Sequence, residues 1–420
     1  MPPLREVIKR NIPPALREAF VTLRERFSAP ALEDIVLHDY VFVLDDDPRP
    51  RLSLVIPSVD PAAAFGGVTT GIDIFLEICL RSGAQPRIIT DDFERRIDRS
   101  VVDRRAAALG LAPESIEIVK RSSEAPAIPV RSRDVFFTYN WWITLNIRSL
   151  LEAQTRHFGG PPRPFLYLIQ DYEPLFYRFS STHMLARLAF EPSLPCWGLF
   201  NSSQLHEFFC AQGHELDRAF VFEPKISQSL RPALEAGPVT KAKRILVYGR
   251  PQIPRNCFPA VEKGLRLWAE RYPQFAGWDV VSAGLAHPPI AIGSGRALRS
   301  LGKLPLDAYA DLLRTTAVGL SLMSSPHPSY PPLEMAHFGL LTVTNRYANK
   351  DLGRSHENIL SVRDIDASTI ADALRQACER FEADPDGGWR ARSHMPAYLD
   401  KAEWAFLSEL SDALRELWRG

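Results

Sequence analysis

The spacing of apolar residues along the chain predicts alternating strands and helices. Residues 51–58 form a short run rich in aliphatic side chains that ends in turn residues. Gly66 and Gly67 follow, then apolar positions at helical spacing over 68–80, and then a second short apolar run over 87–90. This succession predicts the start of a parallel α/β sheet. Further strands are predicted at 115–119, 134–139, 165–170, 197–201 and 220–222.

The same succession begins again after a polar stretch at 228–243, which contains Pro and Gly and is typical of an interdomain linker. The sequence therefore predicts two Rossmann-like α/β domains that face each other across a cleft, because parallel strands bind ligands beyond their carboxyl ends. In this second half, strands are predicted at 244–249, 278–284, 318–323 and 340–344, and helices at 258–272, 307–313, 333–338, 369–381 and 401–418.

Residues 1–27 alternate apolar and basic positions around Pro13 and Pro14. This pattern predicts two short amphipathic helices, which either pack on the first domain or contact a membrane surface or a partner. We assign residues 1–40 to this helical extension, 41–235 to the first Rossmann-like domain and 236–395 to the second.

Composition narrows the class of protein. A chain of 420 residues is too long for one ordinary core and fits two domains. Its 50 basic and 50 acidic residues give a net charge of zero, which argues against a protein that coats nucleic acid but leaves room for a local anion pocket. No apolar run is long enough to cross a bilayer, and the first 20 residues lack the apolar core of a signal peptide. We expect a cytoplasmic protein.

Several kinds of site are disfavoured by spacing. The 5 cysteines show no C-x-x-C pair, so they fit neither a zinc cluster nor a disulfide framework. The chain has no H-E-x-x-H or G-x-S-x-G motif, and its Gly66-Gly67 pair is not the G-x-G-x-x-G of dinucleotide binding. Asp45, Asp46 and Asp47 could hold a divalent ion, but the prolines that follow them favour a solvated turn. We expect no bound metal.

The most informative cluster lies in the second half. Arg250 follows a predicted strand, Lys303 lies in a loop before a helix, and Leu333 and Glu334 lie in the first turn of another helix. An Arg, a Lys and helix N–H groups at neighbouring strand ends suit a diphosphate. The Glu334 carboxylate could accept hydrogen bonds from sugar hydroxyls. Taken singly, Arg250 also fits a salt bridge, Lys303 a solvated loop, and Glu334 ordinary stabilisation of a helix end.

The first half contributes two weaker signals. Gly66 and Gly67 would let a ligand approach the backbone closely, although many turns contain such a pair. The segment Gln170, Asp171, Tyr172 and Glu173 follows a predicted strand and could line the cleft. It could equally be a solvated turn that ends at Pro174.

These motifs resemble those of a known family. In the second half, YGRP (248–251), LGKLPLDAYADLL (301–313) and VGLSLMSSPHPSYPPLEMAHFG (318–339) resemble retaining GT-B glycosyltransferases of family 4. In the first half, GGVTT (66–70) and YLIQDYEPLFY (167–177) are similar to the WsaF-type bacterial rhamnosyltransferases, which use dTDP-L-rhamnose to build surface polysaccharides. The resemblance covers about residues 40–395.

The resemblance implies a role for each matching residue. Glu334 falls at the second glutamate of the family's E-x7-E motif, where Pro326 replaces the first. Ser325 and His327 flank Pro326, so the group that contacts the sugar near its anomeric carbon stays open. The last helix, within residues 396–420, is expected to pack back on the first domain. The implied catalytic residues are Arg250, Lys303 and Glu334; the implied donor-binding residues are Gly66, Gly67, Gly249, Tyr330 and Leu333; and Gln170, Asp171, Tyr172 and Glu173 are candidates on the acceptor side.

The predicted function is transfer of a sugar, expected to be L-rhamnose from dTDP-L-rhamnose, onto a growing surface polysaccharide with retention of configuration. The expected partners are a nucleotide sugar and a glycan or lipid-linked glycan acceptor, with no nucleic acid. Peripheral membrane contact through residues 1–27 is the alternative to packing of that segment on the first domain. Alternatives are a GT-B transferase that uses GDP-mannose or a UDP-sugar, a sugar-nucleotide-binding protein without catalysis, and a scaffold that docks through the N-terminal helices.

Overall fold

The protein is described here by a computed structural model, which covers residues 32, 36–61, 66–91, 97–121 and 127–419. The predicted amphipathic helices at 1–27 lie outside the described residues. The first half forms an α/β domain around one sheet and a short two-stranded addition. Its strands are β1 (Phe42–Asp45), β2 (Arg51–Ile56), β3 (Gln85–Thr90), β4 (Glu117–Lys120), β5 (Ile128–Arg131), β6 (Asp134–Thr138), β7 (Phe165–Ile169), β8 (Cys196–Phe200) and β9 (Arg218–Val221).

The sheet of the first domain is parallel throughout and has the order β4-β3-β2-β6-β7-β8-β9, while β1 pairs with β5 beside it. Strands β2, β6, β7 and β8 are buried along their whole length. Most of their residues are apolar because helices cover both faces of the sheet. The strand order reverses between β2 and β6, and such a switch point opens a crevice at the carboxyl ends of the strands.

The second half repeats this plan with a second sheet in the order β12-β13-β11-β10-β14-β15-β16. Its pairings are parallel except for the antiparallel pair β12–β13, and its order reverses between β10 and β14. The strands are β10 (Ala242–Gly249), β11 (Asp279–Gly284), β12 (Ile290–Gly293), β13 (Arg296–Ser300), β14 (Thr316–Leu320), β15 (Leu341–Asn345) and β16 (Ile359–Val362).

Helices cover both faces of each sheet, so each domain has two apolar layers. In the first domain they are α1 (Gly66–Ser82), α2 (Ser100–Ala108), α3 (Trp141–Asn146), α4 (Arg148–Phe158), α5 (Ser181–Leu188) and α6 (Ser203–Ala211). The later helices are α7 (Arg231–Glu235), α8 (Phe258–Arg271), α9 (Leu306–Thr315), α10 (Tyr330–His337), α11 (Ala367–Ala383), α12 (Gly387–Arg390), α13 (Pro396–Leu399) and α14 (Phe406–Arg419). Single 3-10 turns lie at Pro113–Ser115, Glu173–Phe176, Pro254–Asn256, Pro273–Phe275 and Leu352–Arg354.

The last helix, α14, lies on the first domain. Its apolar side chains Leu407, Leu410 and Leu414 join the core that α1 forms with the first sheet. The indole Nε1 of Trp418 donates a hydrogen bond of 2.9 Å to the backbone oxygen of Arg133. The chain therefore crosses from the second domain back to the first before it ends. The domain boundaries at 40, 235 and 395 stay predictions.

The stretch 228–243 is more structured than its polar composition indicates. It contains α7, and Lys241 is only 7% exposed. The Lys241 ammonium donates to the backbone oxygens of Leu313, Arg314, Thr316 and Phe338 at 2.8–3.2 Å. A lysine in a polar linker predicts solvent exposure, but here carbonyls at the ends of two helices provide a buried site for the charge.

Candidate functional site

Arg250 and Lys303 lie at neighbouring strand ends of the second domain. Arg250 directly follows β10, and its Nη1 donates to the hydroxyl of Tyr248 at 3.4 Å. Lys303 is exposed in the loop after β13. Strand β11 lies between β10 and β13, and the backbone N–H of Gly284 at its end donates to the oxygen of Gly302 at 2.9 Å. The sheet order therefore brings both cations to one edge.

Glycines allow these loops to approach closely. A Cβ on Gly249 would lie 2.7 Å from the Cβ of Ser282, and a Cβ on Gly284 would lie 2.3 Å from the backbone oxygen of Gly249. Gly284 also has a φ of +144°, and Gly302 has a φ of +65°. A larger residue in place of Gly249 or Gly284 would push these segments apart, and one in place of Gly302 would strain the backbone.

Glu334 lies in the first turns of α10, facing α9. The hydroxyl of Tyr309 on α9 donates to its Oε2 at 3.0 Å. Desolvation raises the pKa of Glu334 to about 7, and the Tyr309 hydrogen bond opposes that rise. The carboxylate is therefore oriented by a neighbouring helix and titrates near neutral pH.

The start of α10 has an uncommon backbone. Ser329, which precedes the helix, has a φ of +69°, a conformation that residues other than glycine adopt rarely and mainly at functional sites. Helix α10 begins at Tyr330, three residues earlier than predicted, so Pro331 and Pro332 lie inside its first turn. The side chain of Leu333 is buried in the domain core, and its backbone N–H lies beyond the first turn and bonds within the helix, because α10 begins earlier than the sequence predicts.

The first domain brings Gly67 and Gln170 together at its switch point. A Cβ on Gly67 would lie 2.2 Å from the Oε1 of Gln170 and 2.8 Å from the hydroxyl of Tyr139. Tyr139 follows β6 and Gln170 follows β7, whereas Gly66 and Gly67 begin α1. The glycine is required at this point because the two polar side chains occupy the space of a larger residue.

Asp171 contacts the second domain. Its Oδ1 accepts a hydrogen bond of 2.5 Å from the hydroxyl of Ser325, in the loop after β14. Its Oδ2 lies 4.0 Å from the Nε of Arg255, whose guanidinium lies 4.0 Å from the ring centroid of Phe176. A second cation near Asp171 is Lys350, which is 1% exposed. Desolvation lowers the pKa of Lys350 to about 8, and the negative charge of Asp171 opposes that decrease.

The domains also touch at Tyr330 and at Asn349. The side-chain amide of Asn201, directly after β8, donates to the hydroxyl of Tyr330 at 3.2 Å. Asn349 in the second domain donates to the backbone oxygen of Gln204 at 2.8 Å. Together with the Asp171 contacts, these bonds hold segments that follow the carboxyl ends of strands in the two domains against each other.

Tyr172 and Glu173 turn into the first domain. The hydroxyl of Tyr172 shares a hydrogen bond of 2.8 Å with His214. The Oε2 of Glu173 accepts from the backbone N–H of Trp141 at 2.7 Å and from the hydroxyl of Tyr167 at 3.2 Å. Desolvation raises the pKa of Glu173 to about 8. Within the QDYE segment, only the first two side chains thus reach the other groups of the cleft, and the acceptor-side roles stay predictions.

The residues that the sequence reasoning did not select are Tyr309, Asn201, Arg255 and Lys350. Tyr309 and Asn201 lie in segments that had been noted, one in LGKLPLDAYADLL and the other at the end of a predicted strand. Their position at strand and helix ends was a usable signal. Arg255 and Lys350 had no such signal, because their partner Asp171 lies in the other domain.

Two of the aspartates that could have held a divalent ion form ion pairs instead. Asp47 accepts hydrogen bonds from Arg49, and both Asp45 and Asp47 form ion pairs with Arg131. Among the described residues, no group of three or more His, Cys, Asp and Glu side chains is placed to hold a metal ion. No helix in the described part of the chain has the length and apolarity to cross a membrane.

Comparison with known proteins matches both halves of the chain to one family. Residues 51–203 match the WsaF N-terminal domain and residues 243–375 match the WsaF C-terminal domain. A curated relative, the O-antigen biosynthesis protein RfbC of Myxococcus xanthus, is 30% identical over 314 residues. That match covers 73% of this chain but 22% of RfbC, so the chain spans about a fifth of the length of this relative.

Solved structures share the two-domain fold at low identity. WaaG, a glycosyltransferase involved in lipopolysaccharide biosynthesis, has a TM-score of 0.52 at 11% identity over 88% of this chain and 100% of its own. The sucrose-phosphate synthase of Thermosynechococcus elongatus has a TM-score of 0.52 at 13% identity over 88% of this chain and 94% of its own. The α,α-trehalose-phosphate synthase of Burkholderia xenovorans has a TM-score of 0.53 at 13% identity, over 88% and 100% of the two chains. The predicted GT-B fold, with two Rossmann-like domains across a cleft, is confirmed.

Proposed function

The chain belongs to the WsaF family, and from this membership we propose that it is a glycosyltransferase that moves a sugar from a nucleotide-sugar donor to a growing surface polysaccharide. The observation that carries the proposal is the convergence, at the carboxyl ends of the second sheet, of two cations and a carboxylate, with Tyr330 of the same helix hydrogen-bonded across the cleft to Asn201 of the first domain. This arrangement suits a donor whose diphosphate and ribose bind the second domain while its sugar faces the first.

Arg250 and Lys303 would bind the donor diphosphate. The leaving nucleoside diphosphate gains negative charge as the glycosidic bond breaks, so fixed cations bind it more tightly in the transition state than in the ground state. Because α10 begins at Tyr330, the backbone N–H groups of Leu333 and Glu334 already bond within the helix and do not add to this contact. We expect the two cations to provide the charge stabilisation that the reaction needs.

The Glu334 carboxylate, oriented by Tyr309, would accept hydrogen bonds from hydroxyls of the nucleotide ribose. Tyr330 would lie beside the donor, and Gly66 and Gly67 would let the sugar and the phosphate approach the backbone of the first domain. We propose retention of anomeric configuration by attack on the same face of the sugar. In that route the leaving phosphate oxygen takes the proton of the acceptor hydroxyl, and no separate base is required.

We propose dTDP-L-rhamnose as the donor, on the resemblance of GGVTT (66–70) and YLIQDYEPLFY (167–177) to the WsaF-type rhamnosyltransferases. The acceptor would be a glycan or lipid-linked glycan of the O-antigen, S-layer or capsule kind, in keeping with the name of the RfbC relative. Gln170 and Asp171 are the groups best placed on the acceptor side. Contact of residues 1–27 with the inner face of the cell membrane is part of the same proposal.

The donor is identified by thermal shift, because a ligand that binds only the native state raises its melting temperature. We expect dTDP and dTDP-L-rhamnose to stabilise the protein and UDP, GDP and their sugars to have little effect. Stabilisation by UDP-glucose or GDP-mannose alone would reassign the donor. A melting temperature that none of these nucleotides moves would contradict the proposed function.

The role of Lys303 is tested by Lys303→Ala. Loss of one fixed group that stabilises the leaving charge is expected to lower kcat/KM for donor turnover roughly a hundredfold. Lys263→Ala, at an exposed lysine on α8 of the same domain, is the matched control and should keep the wild-type rate. Turnover of dTDP-L-rhamnose by Lys303→Ala at the control rate would remove Lys303 from the donor site.

A further inference from the structure

Two buried polar atoms at the interface of the domains have no hydrogen-bond partner among the residues that the structure describes. They are the Nε2 of His327, in the loop after β14, and the Oδ1 of Asn201, directly after β8. His327 is 5% exposed and Asn201 is 1% exposed. An unpartnered buried polar atom costs about 1–3 kcal/mol. The described residues contain other such atoms, but these two come from different domains and lie beside the same Tyr330. Two of them at one place in a cleft indicate a polar group of a ligand.

The two residues are neighbours across the cleft. Asn201 belongs to the first domain and donates through its amide nitrogen to Tyr330 of the second. The rings of Tyr330 and His327 lie 5.9 Å apart between centroids. The backbone carbonyl of Asn201 lies close enough to raise the pKa of the imidazole against the effect of burial, but it makes no well-aligned hydrogen bond with Nε2. His327 and Asn201 thus border the same small region.

The chain fixes which atom of the imidazole carries the proton. The backbone N–H of Ser329 donates to the Nδ1 of His327 at 3.0 Å, so Nδ1 is an acceptor. Burial lowers the pKa of His327 to about 4, which keeps the ring neutral at physiological pH. A neutral imidazole with Nδ1 as acceptor carries its proton on Nε2. Nε2 is therefore a donor, and the Asn201 Oδ1 is an acceptor.

The loop that holds His327 is itself fixed from the opposite domain. Ser325 donates to Asp171 at 2.5 Å and accepts from the backbone N–H of His327 at 3.0 Å. Ser329 then adopts its positive φ and opens α10. The imidazole is therefore held at both its backbone and its Nδ1, which leaves Nε2 as the part free to serve a ligand.

We propose that His327 and Asn201 together bind one hydroxyl group of the transferred sugar, with the imidazole Nε2–H as donor and the amide Oδ1 as acceptor. A hydroxyl accepts one hydrogen bond and donates another, so it complements this pair, whereas a phosphate oxygen could not satisfy the Asn201 acceptor. The proposed function assigns the ribose and the cations that bind the diphosphate to the second domain. A pair that spans both domains suits the sugar, which lies between the nucleotide and the acceptor. The inference rests on the proposed function.

Two variants of His327 separate its two nitrogens. His327→Asn keeps an acceptor near Nδ1 for the Ser329 N–H but loses the Nε2 donor. His327→Gln extends an amide N–H toward the Nε2 position and loses the Nδ1 acceptor. Dissociation constants are measured by calorimetry for dTDP and dTDP-L-rhamnose, or for the UDP/UDP-glucose or GDP/GDP-mannose pair if that pair stabilises the wild type more. The readout is the ratio of the two constants, which isolates the contribution of the sugar.

We expect His327→Asn to bind the nucleotide alone within about twofold of wild type. Its affinity for the nucleotide sugar relative to the nucleotide should fall about tenfold, the scale of one hydrogen bond. His327→Gln should keep most of this relative affinity. A ratio in His327→Asn equal to that of wild type would overturn the inference. If His327→Asn does not fold, Asn201→Ala is measured instead, with the same expected loss and the same overturning result. A wild-type protein that binds none of the nucleotides contradicts the proposed function, and the inference fails with it. A wild type that prefers the nucleotide sugar, together with a His327→Asn variant that has lost this preference, supports both.

Discussion

At the scale of single residues, burial decides which groups of the cleft change charge near neutral pH. Glu334 is an ordinary glutamate in the sequence, yet desolvation raises its pKa to about 7 while Tyr309 donates to its Oε2. The pKa of His327 moves to about 4 for the same physical reason. Removal of water thus makes a carboxylate protonate more easily and an imidazole less easily.

The pKa of Glu334 predicts how donor binding depends on pH. If its carboxylate accepts hydrogen bonds from ribose hydroxyls, protonation below pH 7 should weaken binding of dTDP-L-rhamnose by up to about tenfold per pH unit, with a plateau above pH 8. Calorimetry between pH 5.5 and 8.5 measures this slope. Glu334→Gln should bind more weakly than the wild type at pH 8 and show no slope. The nucleotide sugar is the appropriate probe because the terminal phosphate of dTDP itself titrates near pH 6. A slope that persists in Glu334→Gln would assign the titration to another group.

At the scale of elements, buried charges hold helix ends in place. Lys241 donates to backbone oxygens at the ends of α9 and α10 and lies 4.5 Å from the ring centroid of Trp389. Glu173 accepts the N–H at the start of α3. The first turns of α10 carry Glu334, so the Lys241 contact at its other end contributes to the position of the candidate site.

Lys241→Met is expected to destabilise the protein. The apolar side chain fits a similar volume but leaves several buried carbonyls without a donor, which should lower the free energy of unfolding by on the order of 3 kcal/mol. Lys243→Met, two residues further along the chain, removes only an exposed ion pair with Glu382 and should cost less than about 1 kcal/mol. Chemical denaturation measures both. Equal stabilities of the two variants would show that the carbonyl contacts of Lys241 contribute little.

Glu173→Gln tests the buried carboxyl at the start of α3. Its pKa is raised from 4.5 to about 8, so between these values the folded state binds a proton that the unfolded chain has lost. Wild-type stability should therefore decrease as pH rises from 5 to 8, and Glu173→Gln, which cannot titrate, should gain melting temperature relative to wild type over that range. Thermal melts at several pH values give the difference. A constant difference would indicate that Glu173 ionises freely in the folded protein.

At the scale of the whole molecule, the two domains meet through polar contacts that centre on Asp171. Ser325, Arg255 and the buried Lys350 surround its carboxylate from the second domain. Loss of one member of a buried charge cluster leaves the others without compensation. Contacts of this kind connect closure of the cleft to the same loops that carry the proposed sugar site.

Asp171→Asn should shift the unliganded protein toward an open arrangement. A loss on the order of 3 kcal/mol would shift the ratio of open to closed molecules about 150-fold toward the open arrangement. Small-angle X-ray scattering should then report a larger radius of gyration. Asn349→Ala removes an exposed interdomain contact and serves as the control, with no change expected. An Asp171→Asn protein with the scattering of the control would mean that Asp171 does not hold the domains together.

The fold was predictable because each element carries its own signal. Strands β7 and β8 are short runs without charged residues, since both faces of the sheet are covered, and Gly339, with a φ of +78°, follows the end of α10. The short helices α3 and α7 and the β12–β13 hairpin were not predicted. They are too short for a periodic pattern, and side-chain caps such as Asn140 or distant partners stabilise them.

The sequence by itself determined the two α/β units and their strand-end residues Arg250, Lys303 and Glu334, because periodicity and turn residues act within a few positions of the chain. Only the tertiary structure decided that Glu334 pairs with Tyr309, that Tyr172 and Glu173 turn inward, and that Asp171, Asn201 and His327 meet between the domains. Asp171 and Ser325 are separated by 154 positions. Contacts at such separations depend on how the two domains pack against each other, and no local pattern encodes that packing.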